Sequence, residues 1–416
     1  MKAHNVEIMA PVGSYESLKA AIQGGADSIY FGVGQLNMRS KSSNNFGIDD
    51  LVEISKICKE SKIRSYLTVN TVIFDDELEQ MQEIVNAARE NELTAIIASD
   101  QAVIQFANEI GMEVHMSTQA NITNIRAVKY YSQYADVMVT ARELSLKQVK
   151  AITNTIKEQN ITGPSGKLVD IEIFAHGALC MAVSGKCYLS LDNLNSSANR
   201  GACLQICRRP YDVKDKDGGI ELEVDNEYIM SPKDLNTIGF LDKILKAGVA
   251  VLKIEGRGRS PEYVKTVVEC YKEAVQAYFN DEYTVENIEK WNTELGSVYN
   301  RGFWDGYYLG KKLGEWTERY GSQATHRKMY VGKVTNYYSK LGVAEIKIET
   351  NDLSKGEEIK ILGPTTGVYE DVIEEIRVDL KPTEKTVKGE FCSIPVKSLV
   401  RRGDKLYKVV EVELED

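Results

Sequence analysis

The sequence predicts an α/β protein: a (β/α)8 TIM-like barrel with a cysteine-rich insertion, followed by a small C-terminal antiparallel β-barrel domain. Three observations predict it. Eight short β-rich runs alternate with amphipathic helical stretches over roughly the first 280 residues, and parallel strands must be joined by such crossovers. Polar residues gather just after several of these runs, at what would be the rim where barrel active sites sit. From about Met329 the pattern changes to short β-runs separated by Gly, Pro and Asp turns, as in a small antiparallel barrel.

The β-runs are Val6–Ala10, Ser28–Gly32, Ile63–Asn70, Thr94–Ser99, Glu113–Thr118, Asp136–Thr140, Val169–Ala175 and Val249–Glu255. Helical periodicity fills Asp49–Ser61, Asp75–Glu90 and Asn124–Tyr134, with Asp49, Asp75 and Ser145 as N-caps and Gly111 as a stop. Eight such units favour a closed barrel over an open doubly wound sheet. Gly177–Ile229 breaks the rhythm and reads as an insertion after the seventh run; it includes a charged hairpin-like piece, Asp212–Glu223. Tyr330–Thr335, Leu341–Glu349, Glu357–Leu362 and Lys405–Val412 read as strands of the second domain. The implied division is 1–284 for the barrel, with the insertion at about 177–229, then 285–327 as a bridge and 328–416 for the β domain.

At 416 residues, 43% hydrophobic and 27% charged, the chain can bury cores and is not generally disordered. A net charge of −10 argues against a protein that coats nucleic acid with its whole surface, while leaving room for a local basic patch. No run of 18 apolar residues occurs and the first residues are polar, so neither a membrane span nor a signal peptide is expected. The expectation is a soluble cytoplasmic protein.

Of seven cysteines, Cys58, Cys270 and Cys392 are scattered, whereas the spacing Cys180-x6-Cys187-x15-Cys203-x3-Cys207 gathers four in one loop. In a reducing compartment such a group points to metal or redox chemistry. Zinc prefers paired knuckles, and only the second pair resembles one; four irregularly spaced thiols suit an iron–sulfur cluster better. The bland alternative is four buried small hydrophobes.

Around these cysteines, Glu172–Ser190 and Asn199–Arg208 resemble the signature of the collagenase-like peptidase family U-32. Met9–Gly13, Met230–Leu235, Lys253–Arg257 with Tyr263 and Val264, and Asn300–Phe303 extend the resemblance over about Val6 to Leu309, and the C-terminal β domain also looks like the family's. The family label implies proteolysis. Several branches are instead similar to oxygen-independent hydroxylases with a [4Fe–4S] cluster on four cysteines, acting on a tRNA wobble uridine with prephenate, a 23S rRNA cytidine or a ubiquinone precursor. One barrel plus a compact β domain looks like the tRNA branch. The resemblance therefore implies a tRNA hydroxylase making 5-hydroxyuridine, with prephenate as co-substrate and a [4Fe–4S] cluster on Cys180, Cys187, Cys203 and Cys207. Zinc is the weaker alternative, and the implication leaves room for a related partner chain. A collagenase-like peptidase, an rRNA cytidine hydroxylase and a non-catalytic iron–sulfur or zinc protein are the rival readings.

A cysteine protease needs a thiol beside a histidine held by a third group. Only His4, His115, His176 and His326 are present, with no His-Glu-x-x-His. His176, at the end of the seventh run, is expected on the rim as a proton donor or acceptor, or as a base for Cys180; its alternative is a structural histidine. Glu172 falls on the same face of the strand and suits a buried partner for an arginine. Lys253, Glu255 and Arg257 point one way from an extended strand. Lys253 and Arg257 suit carboxylate binding and proton handling, and the alternative is an internal ion-pair network. Arg39 and Lys41 can join this site or an RNA surface, and Arg142-Glu143 reads as a salt-bridged pair. Arg200, Arg208 and Arg209 lie in a segment without acids, with Tyr188 or Tyr211 to stack an unpaired base; the alternative is a solvated loop face. Arg401, Arg402, Lys405 and Lys408 give the β domain a second basic patch.

Overall fold

The computed structural model describes residues 6–41, 44–212, 228–310 and 314–412, so nearly all of the expected Asp212–Glu223 hairpin lies outside the described residues. In chain order the first sheet contains β1 (Glu7–Pro11), β2 (Ser28–Gly32), β3 (Arg64–Val69), β4 (Ala95–Ala98), β5 (Val114–Met116), β6 (Val137–Val139), β7 (Asp170–Gly177), β8 (Asp234–Asn236), β9 (Val251–Ile254) and β10 (Phe303–Trp304). Strands β1 to β7 pair in parallel in sequence order, β9 pairs with both β7 and β1, and those eight strands close a barrel.

Around it run α1 (Tyr15–Gln23), α2 (Asp50–Ser61), α3 (Leu78–Glu90), α4 (Gln101–Glu109), α5 (Ile125–Tyr131), α6 (Leu146–Glu158), α7 (Leu189–Leu194), α8 (Leu241–Lys246), α9 (Pro261–Phe279) and α10 (Val285–Ser297). The barrel strands are buried on both faces, which is why they read as near-continuous apolar runs. Their outer faces pack under the helices, while Met9, Tyr30, Tyr66, Ile97 and Val251 form a separate cluster inside.

Ser145 starts α6 in a capping box with Gln148, and Gly111, at φ +72°, follows α4. Asp49 precedes α2 but makes no side-chain cap; the next residue, Asp50, accepts from the Gly47 amide at 2.8 Å. Asp75 opens a 3-10 turn ahead of α3 rather than capping it. Just after the insertion, β8 runs antiparallel to the end of β7, and β10 pairs with β8. Strands of three and two residues carry no readable period.

The second domain is one eight-stranded antiparallel sheet: β11 (His326–Tyr338), β12 (Val343–Ile348), β13 (Glu358–Gly363), β14 (Gly367–Val372), β15 (Ile376–Val378), β16 (Lys381–Thr383), β17 (Phe391–Pro395) and β18 (Lys405–Glu411). Its order is β14-β13-β18-β11-β12-β17-β15-β16, around its own core of residues such as Val331, Ile346, Ile361 and Leu406. It docks on the barrel through α1. The Gln23 amide donates to Thr366 O at 3.0 Å and accepts from Val368 N at 2.9 Å. Lys265 with Glu370 and Lys328 with Glu262 add ion pairs. No described helix is long and apolar enough to cross a membrane.

Candidate functional site at the barrel rim

Side chains alternate along a strand, so the inward set climbs the barrel in layers. Lowest, Glu7 pairs with Arg64 at 2.5 Å and accepts from the Tyr66 hydroxyl at 2.8 Å; burial pushes its carboxyl up. Higher, the Lys253 ammonium donates to Glu172 Oε1 at 2.7 Å and lies 4.6 Å from the centre of the Tyr30 ring. Both partners are buried, and Glu172 Oε2 has no hydrogen-bond partner.

At the top, Arg257 donates from Nη1 to Asn37 Oδ1 at 3.0 Å and Thr68 Oγ1 at 2.9 Å, and burial pushes its guanidinium down to about 10. Glu255 pairs with Arg39 and lies 3.2 Å from the Tyr30 hydroxyl. Burial acts to raise the Glu255 carboxyl, but the Arg39, Arg142 and Arg257 guanidinium groups hold it down at about 2.

The cysteine loop covers this rim. Cys180, Cys187, Cys203 and Cys207, all free thiols, line one cavity of about 140 Å³ together with Tyr30, Phe174, Lys253, Glu255 and Arg257. Burial, and then Cys180, Cys203 and Cys187, push the Cys207 thiol up to about 11 against the pull of Arg208. Among the described residues, no three His, Cys, Asp or Glu side chains are arranged to hold a metal ion. The donor chemistry of four soft sulfurs on one cavity wall nevertheless fits an iron–sulfur cluster.

An adjoining cavity of about 150 Å³ shares Cys180, Cys203 and Cys207 and is walled by Arg39, Arg142, Arg208, Arg259 and Arg301. The buried Asp234 carboxylate holds Arg301 at 3.4 Å and Arg259 at 3.5 Å, and Arg259 stacks 3.7 Å over Tyr299. Excess guanidinium in so small a space suits an anionic ligand, since arginine grips carboxylate or phosphate through paired donors.

Residues 13–318 match the sequence profile described as Peptidase family U32. The chain belongs to peptidase family U32. It is 60% identical over 408 residues to a protein of Porphyromonas gingivalis named "Collagenase", covering 98% of this chain and 99% of that one. It is 31% identical to "tRNA hydroxylation protein P1" of Bacillus subtilis, over 89% of this chain and 86% of the relative. It is 30% identical to "23S rRNA 5-hydroxycytidine C2501 synthase" of Escherichia coli, over 76% of this chain but only 47% of that protein.

In this U32 chain Lys253, Glu255, Arg257 and Arg39 come together with the four thiols, and His176 does not join them. A bulge sets Phe174 opposite Lys253 but His176 opposite Ile254, so the histidine leaves the inward parity of Glu172 and Phe174. It lies buried among Tyr263, Tyr271 and Phe303, and burial, then Arg259, push its imidazole down to about 3. Glu172 meets Lys253 rather than an arginine. Arg142 does not bridge to Glu143; its guanidinium lies 3.9 Å over Phe174 and donates to Ala178 O at 3.3 Å.

Arg200 clamps the loop to the β3–α3 turn, bonding Val72 O at 2.7 Å, pairing with Glu77 and stacking 4.0 Å over Phe74. Arg208 donates to Leu179 O at 2.6 Å and Ser231 Oγ at 3.1 Å. Arg209 is exposed, as is Tyr188, while the Tyr211 hydroxyl is tied to Ile206 O. Lys41 lies with Ser14 in a third recess, which shares Arg257 with the inner cavity and Arg259 with the adjoining one. On the β domain Arg401, Arg402 and Lys405 are exposed, whereas Lys408 pairs with Asp352 and Glu357. Sequence reasoning did not single out Arg301, Asn70 or Gln119 as site residues. Arg301 falls within Asn300–Phe303, which extends the family resemblance, and Asn70 and Gln119 lie at the ends of the third and fifth β-runs, where polar residues gather.

Proposed function

We propose that this chain is an RNA hydroxylase that converts a tRNA wobble uridine to 5-hydroxyuridine, with prephenate as co-substrate and oxygen source. Cys180, Cys187, Cys203 and Cys207 would hold a [4Fe–4S] cluster. The observation that carries the reading is the meeting of four thiols with two cation-rich cavities on the rim where barrel enzymes act. The cluster, when bound, supplies one-electron chemistry. Arg301 and Arg259 bind the carboxylates of the co-substrate, oriented by Asp234. Lys253, held by Glu172, presents a cation at the cavity floor, and the cysteine loop screens the site from water. The relatives named for tRNA hydroxylation and for 5-hydroxycytidine synthesis in 23S rRNA support an RNA substrate, and a cytoplasmic site of action follows from it.

Proteolysis is the second reading, favoured by the relative named "Collagenase". It needs a nucleophile beside a base. His115 packs against Tyr66 and Glu113, and His176 packs among aromatic rings. His326 bonds the Thr325 hydroxyl at 2.9 Å on the β domain.

The test is anaerobic purification with iron and sulfide analysis, joined to nucleoside analysis of tRNA and rRNA from a strain lacking the gene. Wild type should carry about four irons per chain and restore 5-hydroxyuridine, and Cys203→Ala should do neither. Unchanged nucleosides, together with collagen cleavage by iron-free protein, would replace this reading with proteolysis.

A further inference from the structure

One chain of amide hydrogen bonds on the inner cavity has a fixed direction. The main-chain N–H of Met38 can only donate, and it donates to Asn70 Oδ1 at 3.1 Å. That orients the Asn70 amide, whose Nδ2 donates to Ser117 Oγ at 3.2 Å and Gln119 Oε1 at 3.4 Å. The Ser117 hydroxyl, having accepted from Asn70, gives its own proton to the same Gln119 Oε1. Asn70 and Ser117 are buried, at 8% and 2% exposure, so water does not compete for these bonds.

Gln119 Oε1 is thus used twice, and among the described residues no partner takes its Nε2. The side chain lines the cavity that also holds the Tyr30 and Phe174 rings. Gly185 of the cysteine loop presses on it, since a Cβ there would lie 2.8 Å from Gln119 Cγ. A backbone amide cannot be inverted, so the two side-chain amides that follow from it cannot be inverted either.

We propose that Gln119 reads the edge of a pyrimidine in this cavity, donating from Nε2 to the carbonyl at C4, so that a uracil-type base is accepted and a cytosine-type base rejected. The proposal rests on the RNA-hydroxylase reading and adds the residue that selects the base. Uracil presents a carbonyl where cytosine presents an amino donor. A donor facing a donor leaves two polar groups unpaired in a closed site, which is where hydrogen-bond selectivity is largest. Asn70 is a positioning residue here, acting only through the orientation of Gln119.

Two substitutions test it from different directions. Gln119→Glu places an acceptor at the reading position. Asn70→Asp leaves Gln119 untouched, but its carboxylate has no proton to give Gln119 Oε1, so the glutamine amide turns Nε2 towards residue 70 and Oε1 into the cavity. Anaerobic wild-type protein and both variants are compared for binding to two RNA stem-loops that differ only in one unpaired U or C, and for the hydroxylated nucleoside formed. Wild type should favour the uridine loop about tenfold or more, and both variants should lose or reverse that preference. A wild-type preference that both variants keep would show that Gln119 does not read the base, and would leave the hydroxylase reading standing. Equal binding of both loops by wild type, or a preference for C, also overturns the proposal. Failure of wild type to bind or modify either loop removes the hydroxylase reading and this inference with it.

Discussion

Lys253→Met is the most direct probe of the barrel's interior. The substitution keeps most of the aliphatic stem and removes the ammonium. It leaves Glu172, fully buried, without the 2.7 Å partner of one oxygen, while the other already has none. Breaking a buried ion pair from one side costs about 3–5 kcal/mol, because the remaining charge is uncompensated. For a barrel of this size each kcal/mol moves Tm by roughly 2 °C, so the expected drop is about 6–10 °C. Adding Glu172→Met removes the stranded carboxylate and should recover most of the loss, since apolar replacement of a whole buried pair is often near neutral. The three tryptophans, Trp291, Trp304 and Trp316, all lie outside β11–β18. Their fluorescence therefore follows the barrel rather than the β domain in thermal unfolding. The double variant should fold and still fail to modify RNA, which separates the structural role of the pair from the cation it presents to the cavity. A drop below about 2 °C for Lys253→Met, or a double variant no more stable than the single one, would refute the reasoning.

Three further outcomes follow from the same geometry. The His176 imidazole has an ordinary value of 6.5 and a folded one of about 3. The unfolded chain therefore takes up the proton first, and stability falls as pH drops from 6.5 towards 3, by up to about 1.4 kcal/mol per unit. His176→Phe should flatten that slope in urea titrations between about pH 4 and 6, and an unchanged slope would mean that the histidine is protonated within the fold. Gly201 has φ +76°, and a Cβ there would lie 2.1 Å from Asn37 O. Gly201→Ala should lift the cysteine loop and speed alkylation of Cys203 about tenfold, whereas a rate within about twofold of wild type would show that this contact does not hold the loop. Arg301→Gln should raise the prephenate concentration giving half-maximal modification about tenfold or more, as expected for loss of a charged hydrogen bond; an unchanged value would place the carboxylates elsewhere.

The eight barrel strands were legible because each is buried on both faces and bounded by helices, and Lys253, Glu255 and Arg257 were legible because they keep a strict parity. His176 was not. The run Glu172, Phe174, His176 reads as regular alternation, and only the register of β9 reveals the bulge that turns the histidine outward. Arg200 and Arg208 showed their charge in the sequence but not their partners: Glu77 is 123 residues from Arg200, and Arg208 bonds main-chain carbonyls. The Met38–Asn70–Ser117–Gln119 chain has no spacing at all to read, because three separate loops contribute to it.

The bulge and the start of the cysteine loop act as one device. Past His176, Gly177 takes φ +103°, and a Cβ there would lie 2.4 Å from Glu255 O, so only glycine lets β7 turn away beside the end of β9. Shifting the register by one residue turns the bulky imidazole out among Tyr263, Tyr271 and Phe303. Phe174 is then the last inward side chain of β7, and the chain is free to cross the mouth three residues before Cys180. The first thiol thus reaches the same cavity as Lys253 and Glu255 without an intervening polar group from its own strand. A histidine left at the inward position would stand in that space, so the outward turn of His176 is a condition for the thiols and the charged floor to share one cavity.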